Sequence, residues 1–330
     1  MLSGCVMSEM FGPTNKSTAR VLTENGYEVV IPGGQVFDPA STRPSTTAGR
    51  FTRDPMPGNI IPASRLSPIA KAIIPYWPDP NQPGSADFRQ NFYNTQLIDR
   101  NNLNFIGRLD HNFSERHRVF ARFNNNYRNE LTRSFPSEAV GDLPSQEGYG
   151  AVVDDVYTFS PSTILNVRYG ITFQRPYTNR ITTGFDITKL GFPAALANQL
   201  AQFNPKDRFT FPVINADGGG FTNLGSDAGG YSSSNYHTLG GTVTHIRGNH
   251  NLRVGGEYRL FRDGGYTFGN ATPQFNFANA FTNGPLDNTP GAPIGQGFAA
   301  FLLGQPTGGN VSVNASRANQ STYTGAFLQD

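Results

Sequence analysis

Between Asn104 and Leu260 apolar and polar residues alternate with a period of two in long runs, and the runs come in pairs. In NFIGRLDHNF, Phe105, Gly107, Leu109, His111 and Phe113 share one face while Arg108, Asp110 and Asn112 share the other. Such alternation predicts a strand, because successive side chains of an extended chain point to opposite sides. Ser114-Glu115-Arg116-His117 reads as a polar turn, and RVFARFNNNY returns with Val119, Ala121, Phe123 and Tyr127 opposite Arg118, Arg122, Asn124 and Asn126. A second hairpin runs through AVVDDVYTF, where Asp155 interrupts the apolar face, and turns at Ser160-Pro161-Ser162-Thr163. Its return strand, ILNVRYGITFQR, is the most regular: Leu165, Val167, Tyr169, Ile171 and Phe173 alternate with Asn166, Arg168, Gly170, Thr172 and Gln174. The third joins the less regular YHTLGGTVTHI, across Arg247-Gly248-Asn249-His250, to NLRVGGEYRLF, with Leu252, Val254, Tyr258 and Leu260 opposite Arg253, Glu257 and Arg259. QFNFANAF, GNVSVNAS and TYTGAFLQ are weaker strand candidates.

The intervening segments differ in kind. Eleven prolines fall between Pro32 and Pro83 and exclude a central strand there, since each removes a backbone donor. Residues 64–76 offer one short helix, with Ser67 as N-cap and Pro68 at its first position. At most a short strand is expected at Tyr27 to Ile31.

Strands of about ten residues match the length a tilted strand needs to cross a hydrocarbon layer. Very short turns alternate with loops of roughly twenty to sixty residues, as in bacterial barrels with short periplasmic turns and long external loops. The fold class expected is therefore all-β: an antiparallel transmembrane β-barrel of about 8–10 strands, partial against the family resemblance given below, with long extracellular loops. Leu109, Phe113, Phe123, Leu165, Val167, Tyr169, Ile171, Phe173, Leu252, Val254 and Tyr258 are then expected to face lipid. Arg108, Arg122, Arg168, Arg253, Glu257 and Arg259 are expected to face the lumen. Phe113 and Phe159 before short turns, and Tyr127 near the far end of its strand, suit interfacial girdles.

Composition supports a β protein. Gly 37 and Pro 24 are poor helix formers, and aromatics at 12% favour pleated surfaces over disorder. A net charge of +2 without any Lys/Arg cluster excludes the usual nucleic-acid footprint. One cysteine, Cys5, excludes a disulfide framework. Leu2-Ser3-Gly4-Cys5 resembles a lipoprotein box by chance, and the first ten residues carry no secretory n- and h-regions. No apolar run reaches the roughly 18 residues of a transmembrane helix.

No constellation predicts catalysis. His111, His117, His237, His245 and His250 lack metal-ligand spacing, and Asp154 and Asp155, as strand neighbours, point to opposite faces. Gly218 to Gly220 and Gly229-Gly230 read as flexible loop, in which Asp217 and Asp227 match no calcium signature. The chain is expected to be no enzyme and to need no cofactor.

Several segments, in order, resemble the barrel of Oar-like TonB-dependent outer-membrane receptors. They are RDPMPGNIIPASRLSPIAKAIIPYWPDPNQPG (Arg53 to Gly84), RLDHNFSERHRVFARF (Arg108 to Phe123), FSPSTILNVRYG (Phe159 to Gly170), GNHNLRVGGEYR (Gly248 to Arg259), FAAFLLGQPTGG (Phe298 to Gly309) and YTGAFLQD (Tyr323 to Asp330). The resemblance spans residues 35–330, with 180–235 contributing least. It implies a barrel of about 22 strands around a plug, located in the outer membrane, and energy-coupled uptake of an unidentified small ligand through the TonB complex. Signal sequence, regulatory domain, plug and TonB box are not recognisable in this sequence, so a fragment of such a receptor is expected. Its organisation would be an ill-defined stretch at 1–34, a Pro-rich extracellular loop at 35–103 and the partial barrel at 104–330. Its partners would be outer-membrane lipid, a small ligand and, only through a plug, TonB; nucleic acid is not among them. A secreted β-sandwich binding ligand through its loops, and a non-functional truncated product, remain as alternatives.

Overall fold

The three predicted hairpins are neighbours in one sheet. In the computed structural model, which describes residues 29–30, 34–85, 90–95, 98–133, 135–216, 220–292, 295–312 and 315–330, seven long strands pair antiparallel in sequence order. They are β1 (Asp99–Ser114), β2 (His117–Leu131), β3 (Asp142–Ser160), β4 (Thr163–Arg180), β5 (Gly230–Arg247), β6 (His250–Thr267) and β7 (Ala315–Gln329). Among the described residues the outer edges of β1 and β7 have no partner strand, and the barrel is not closed. No second sheet packs face to face on this wall among the described residues, which argues against a sandwich.

The strands are longer than the alternation predicted, 15 to 19 residues. Their upper ends rise beyond the regular two-residue pattern, where polar stretches such as Asn101-Asn102 and Ser232-Ser233-Ser234 still pair. The irregular first strand of the third hairpin is a full wall strand, β5; Gly240, Gly241 and its threonines blur the alternation without breaking the ladder. Only the outer residues of each four-residue turn pair, Ser114 with His117, Ser160 with Thr163 and Arg247 with His250. Register shifts at Asn112/Ser114 and Thr158/Ser160 place Phe113 and Phe159 in bulges at this end.

Among the described residues the wall has seven strands where about eight to ten were expected, because QFNFANAF and the start of GNVSVNAS pair elsewhere while Ala315-Ser316 open β7. Gln274–Phe277 and Gly308–Asn310 pair with each other, and Gln274–Phe277 runs parallel to Val213–Ala216, in a small separate sheet. Each is four residues or fewer and is hemmed by Pro273, Pro306 and glycines, too short to span the wall. Of the strand expected at Tyr27 to Ile31, Val29–Val30 pairs with Ile60–Ile61; Tyr27 and Ile31 lie outside the described residues, as do Cys5 and Asp217 to Gly219.

The buried core lies in the long connections, not in the sheet. Residues 34–77, the β2–β3 and β4–β5 connections and residues 268–303 contribute Val36, Ile61, Ile73, Trp77, Phe135, Leu190, Phe211, Leu224, Phe277, Phe301 and Leu302 to one cluster. What reads as loops is thus a cap standing at one end of the sheet. Helix α1 (Pro68–Ile73) starts as its sequence suggests, the Ser67 hydroxyl accepting from the Ala70 N–H. Helix α2 (Ala194–Leu200) follows Pro193, and α3 (Gln296–Leu302) is buried along its whole length. Trp77 meets the rings of Phe298 and Phe301 edge-on at 6.1 and 5.3 Å and donates its indole N–H to the Thr222 carbonyl. No described helix is long and apolar enough to cross a membrane.

One ion pair ties the Pro-rich segment together. Both terminal nitrogens of Arg65 donate to the Asp38 carboxylate, at 2.6 and 2.7 Å. These bonds hold the Asp38 carboxyl below the ordinary carboxylate range; the Ala40 N–H adds to the effect and partial burial opposes it. A carboxyl lowered by folding contributes stability above its unfolded value near pH 4, and loses it as pH falls through the folded value. For this partly exposed pair the contribution is about 1 kcal/mol. Hydrogen exchange in the cap should therefore speed up, relative to intrinsic rates, as pH drops from 5 toward about 3. Asp38→Asn should flatten that dependence; an unchanged acid response in the variant would contradict it.

Candidate functional site

Antiparallel partners share a face, so register carries one side across the whole sheet. One row runs Leu109, Ala121, Val153, Tyr169, Leu239, Tyr258 and Thr324. The next row on the opposite side runs Asp110, Phe120, Asp154, Arg168, Gly240, Glu257 and Gly325. Every residue expected to face lipid falls on the Tyr169 side: Leu109, Phe123, Leu165, Val167, Tyr169, Ile171, Phe173, Leu252, Val254 and Tyr258 by register. Phe113, in its bulge, joins them through ring contacts at 4.4 Å to His111 and 5.0 Å to His117. Arg108, Arg122, Arg168, Arg253, Glu257 and Arg259 all fall on the other side.

The Tyr169 side is apolar and largely uncovered: Leu109 is 71%, Val254 51% and Tyr169 43% exposed. Aromatics border it at both ends. Toward the short turns Tyr157 meets Phe159 edge-on at 4.9 Å. Toward the cap Tyr149 stacks on Phe173 at 4.9 Å, and Tyr177, Tyr231 and Tyr266 form a row across three strands. Polar groups within this face are mutually engaged: His117 lies 2.9 Å from Asp155, and His237 is 2.7 Å from the Tyr169 hydroxyl.

The opposite face is a ladder of local ion pairs. Arg108 pairs with Asp110 at 2.7 Å and covers the Phe120 ring at 4.0 Å. Arg259 pairs with Glu257 at 2.9 Å and lies 5.5 Å over Tyr323. Asp154, 4% exposed, accepts from the Arg168 Nε at 2.5 Å and the Asn166 amide at 3.0 Å. Asp154 and Asp155 thus serve opposite sides of the sheet. Removing the guanidinium leaves a buried carboxylate with only an amide partner. Arg168→Ala should cost about 1–3 kcal/mol, less than a fully buried pair because Arg168 itself is solvated. Arg168→Ala/Asp154→Asn should recover part of that loss in a double-mutant cycle, and strict additivity would refute the coupling.

Where the polar face meets the cap it forms a cleft of about 710 Å³ lined by Asp142, Thr178, Arg180, Asp227, Tyr231, Ser232, Thr267 and Arg317 among others. Arg180 bridges Asp142, at 2.5 Å, and Asp227. The Asp227 carboxylate also accepts from the Gly229 N–H at 2.9 Å, so it is engaged by a guanidinium and a backbone donor and is not a cation ligand in waiting. Gly229 and Gly230 are tight positions rather than flexible ones. A Cβ on Gly229, at φ +73°, would stand 2.0 Å from the Thr178 carbonyl oxygen, and one on Gly230 2.4 Å from that of Tyr266. Sequence alone missed this site, since Asp142, Arg180 and Asp227 meet only by tertiary packing. Among the described residues no three His, Cys, Asp or Glu side chains gather closely enough to hold a metal.

The arrangement offers an apolar belt on one side, a charged wall on the other, and a polar recess under a cap. A family model for an outer membrane beta barrel domain matches residues 13–330. No curated protein and no solved structure matches the chain.

Proposed function

The chain belongs to the outer membrane β-barrel domain family, and from that premise we propose that it forms part of the wall and cap of a TonB-dependent receptor of the Oar-like kind. In this reading the Tyr169 face meets outer-membrane lipid and the Arg168 face lines the lumen. The cap stands outside the cell, because long connections lie on the external side of bacterial barrels. The cleft beneath it, around Arg180 and Arg317, receives a small ligand at the mouth of the lumen. Uptake is energised by TonB acting on a plug rather than on the wall itself. The protein performs no chemistry on its ligand, takes no cofactor and does not engage nucleic acid.

The observation that supports this most is the sorting of side chains by register: a seven-stranded sheet with an exposed apolar face, a charged face behind it and all long connections at one end. The resemblance of six ordered segments to Oar-like receptors points to the kind of barrel. Solute depletion from the medium tests the transport. Cells with and without the gene, in TonB-intact and TonB-deleted backgrounds, should differ in at least one small solute whose uptake requires both. Gene-dependent uptake that persists without TonB, or no gene-dependent solute, would contradict the proposal.

A further inference from the structure

On the Tyr169 side, above the apolar rows and against the cap, lies a second cleft of about 340 Å³ bordered by Glu147, Arg175, Tyr177, Arg208, Tyr231 and Phe268. Its two guanidinium groups lie near aromatic rings. Arg175 lies 5.4 Å from the centre of the Tyr231 ring. Arg208 lies 4.7 Å over Phe268 and donates to the Tyr177 hydroxyl at 2.6 Å. Arg175 has no ion pair among the described residues, and Arg208 has one, with Asp207 at 3.9 Å, whose side chain is 75% exposed. One row below, Arg262 donates to the Gln320 amide oxygen at 3.0 Å. Glu147 is registered opposite Arg175 but forms no ion pair with it.

These cations stand at a defined height. Arg175 is ten residues above Leu165 on β4, about 33 Å along the strand at about 3.3 Å per residue. At the usual tilt of roughly 40° that is about 25 Å of rise, the thickness of an apolar belt. Arg175 and Arg208 therefore sit where hydrocarbon gives way to headgroups, on the side of the cap. Arginine over an aromatic ring keeps N–H groups at its rim for other acceptors, in the fork geometry that suits phosphate oxygens.

We infer that this cleft binds a phosphate-bearing lipid headgroup of the outer leaflet, with Arg175 and Arg208 taking the phosphate oxygens. The inference rests on the reading that the Tyr169 face meets lipid. Its test uses the full chain in neutral maltoside micelles, titrated with diphosphorylated lipid A, the bound lipid being counted by native mass spectrometry. One saturable lipid is expected. Arg175→Gln/Arg208→Gln should weaken it about tenfold or more, whereas Arg116→Gln, in a short turn at the other end, should leave it within about twofold. Glu147→Gln removes the acid in the cleft and should tighten binding about threefold. This single variant keeps the test decisive should the double variant misfold. Undiminished binding by a folded double variant, or no tightening by Glu147→Gln, would overturn the inference. So would displacement by equimolar inorganic phosphate, which would make this a site for a free anion. Loss of headgroup binding with residues 165–173 still alternating between lipid and water removes this inference alone; a failed alternation removes the reading beneath it.

Discussion

Truncating Phe301 to alanine is expected to cost about 3–5 kcal/mol and to loosen the cap without unzipping the sheet. Phe301 is 2% exposed in α3, and its ring meets Trp77 at 5.3 Å, Phe277 at 5.3 Å and Phe298 at 5.5 Å. These partners come from the Pro-rich segment, the small sheet and α3 itself, so the side chain joins parts of the cap distant in sequence. The sheet should be spared, because its stability rests on ladder hydrogen bonds that Phe301 does not touch. Limited proteolysis should cut residues 34–77 sooner in Phe301→Ala while β1 to β7 stay protected. Equal protection of the cap in both forms would show that Phe301 does not hold it.

Tyr169→Arg should destabilise the chain in a bilayer by about 2–4 kcal/mol. Tyr169 sits on β4 between Val153 and Leu239, in the middle of the apolar rows. The nearest carboxylate on this face, Asp155, lies diagonally across on β3 and is already engaged by His117, so an arginine there must sit in hydrocarbon or drag water inward. The same charge on the other face should be tolerated: Arg168 already occupies it one residue away, and Thr172→Arg should cost within about 1 kcal/mol. Urea unfolding from lipid vesicles measures both. Equal penalties on the two faces would contradict the assignment of sides.

The wall was legible in the sequence because its physics is local. Period-two alternation in ILNVRYGITFQR and NLRVGGEYRLF marks two faces, and antiparallel register then carries the same faces across neighbouring strands without further information. The helix after Ser67 was legible for the same reason, since capping depends on three or four adjacent residues. The cap was not. Its prolines and glycines carry turn chemistry but no period, and Phe211, Leu224 and Phe301 find one another only through packing between distant segments. FAAFLL is a short apolar run with no period to read, and in the structure it lies in the buried helix α3. The aromatics of the girdles were visible as residues, whereas the bulges at Phe113 and Phe159 were not, because a bulge is set by the register of two strands together. Likewise Arg175 and Arg208 are unremarkable in sequence, and only the fold brings them to one cleft.

In the proposed reading one face of this sheet meets lipid and the other meets water. Nitroxide side chains placed singly from Leu165 to Phe173, with the single native cysteine Cys5 replaced by serine and the protein in lipid vesicles, report it directly. Collision with oxygen, which concentrates in hydrocarbon, should peak at 165, 167, 169, 171 and 173. Collision with a water-soluble nickel chelate should peak at 166, 168, 170 and 172. The opposite phase, or accessibility without a period of two, would contradict the account.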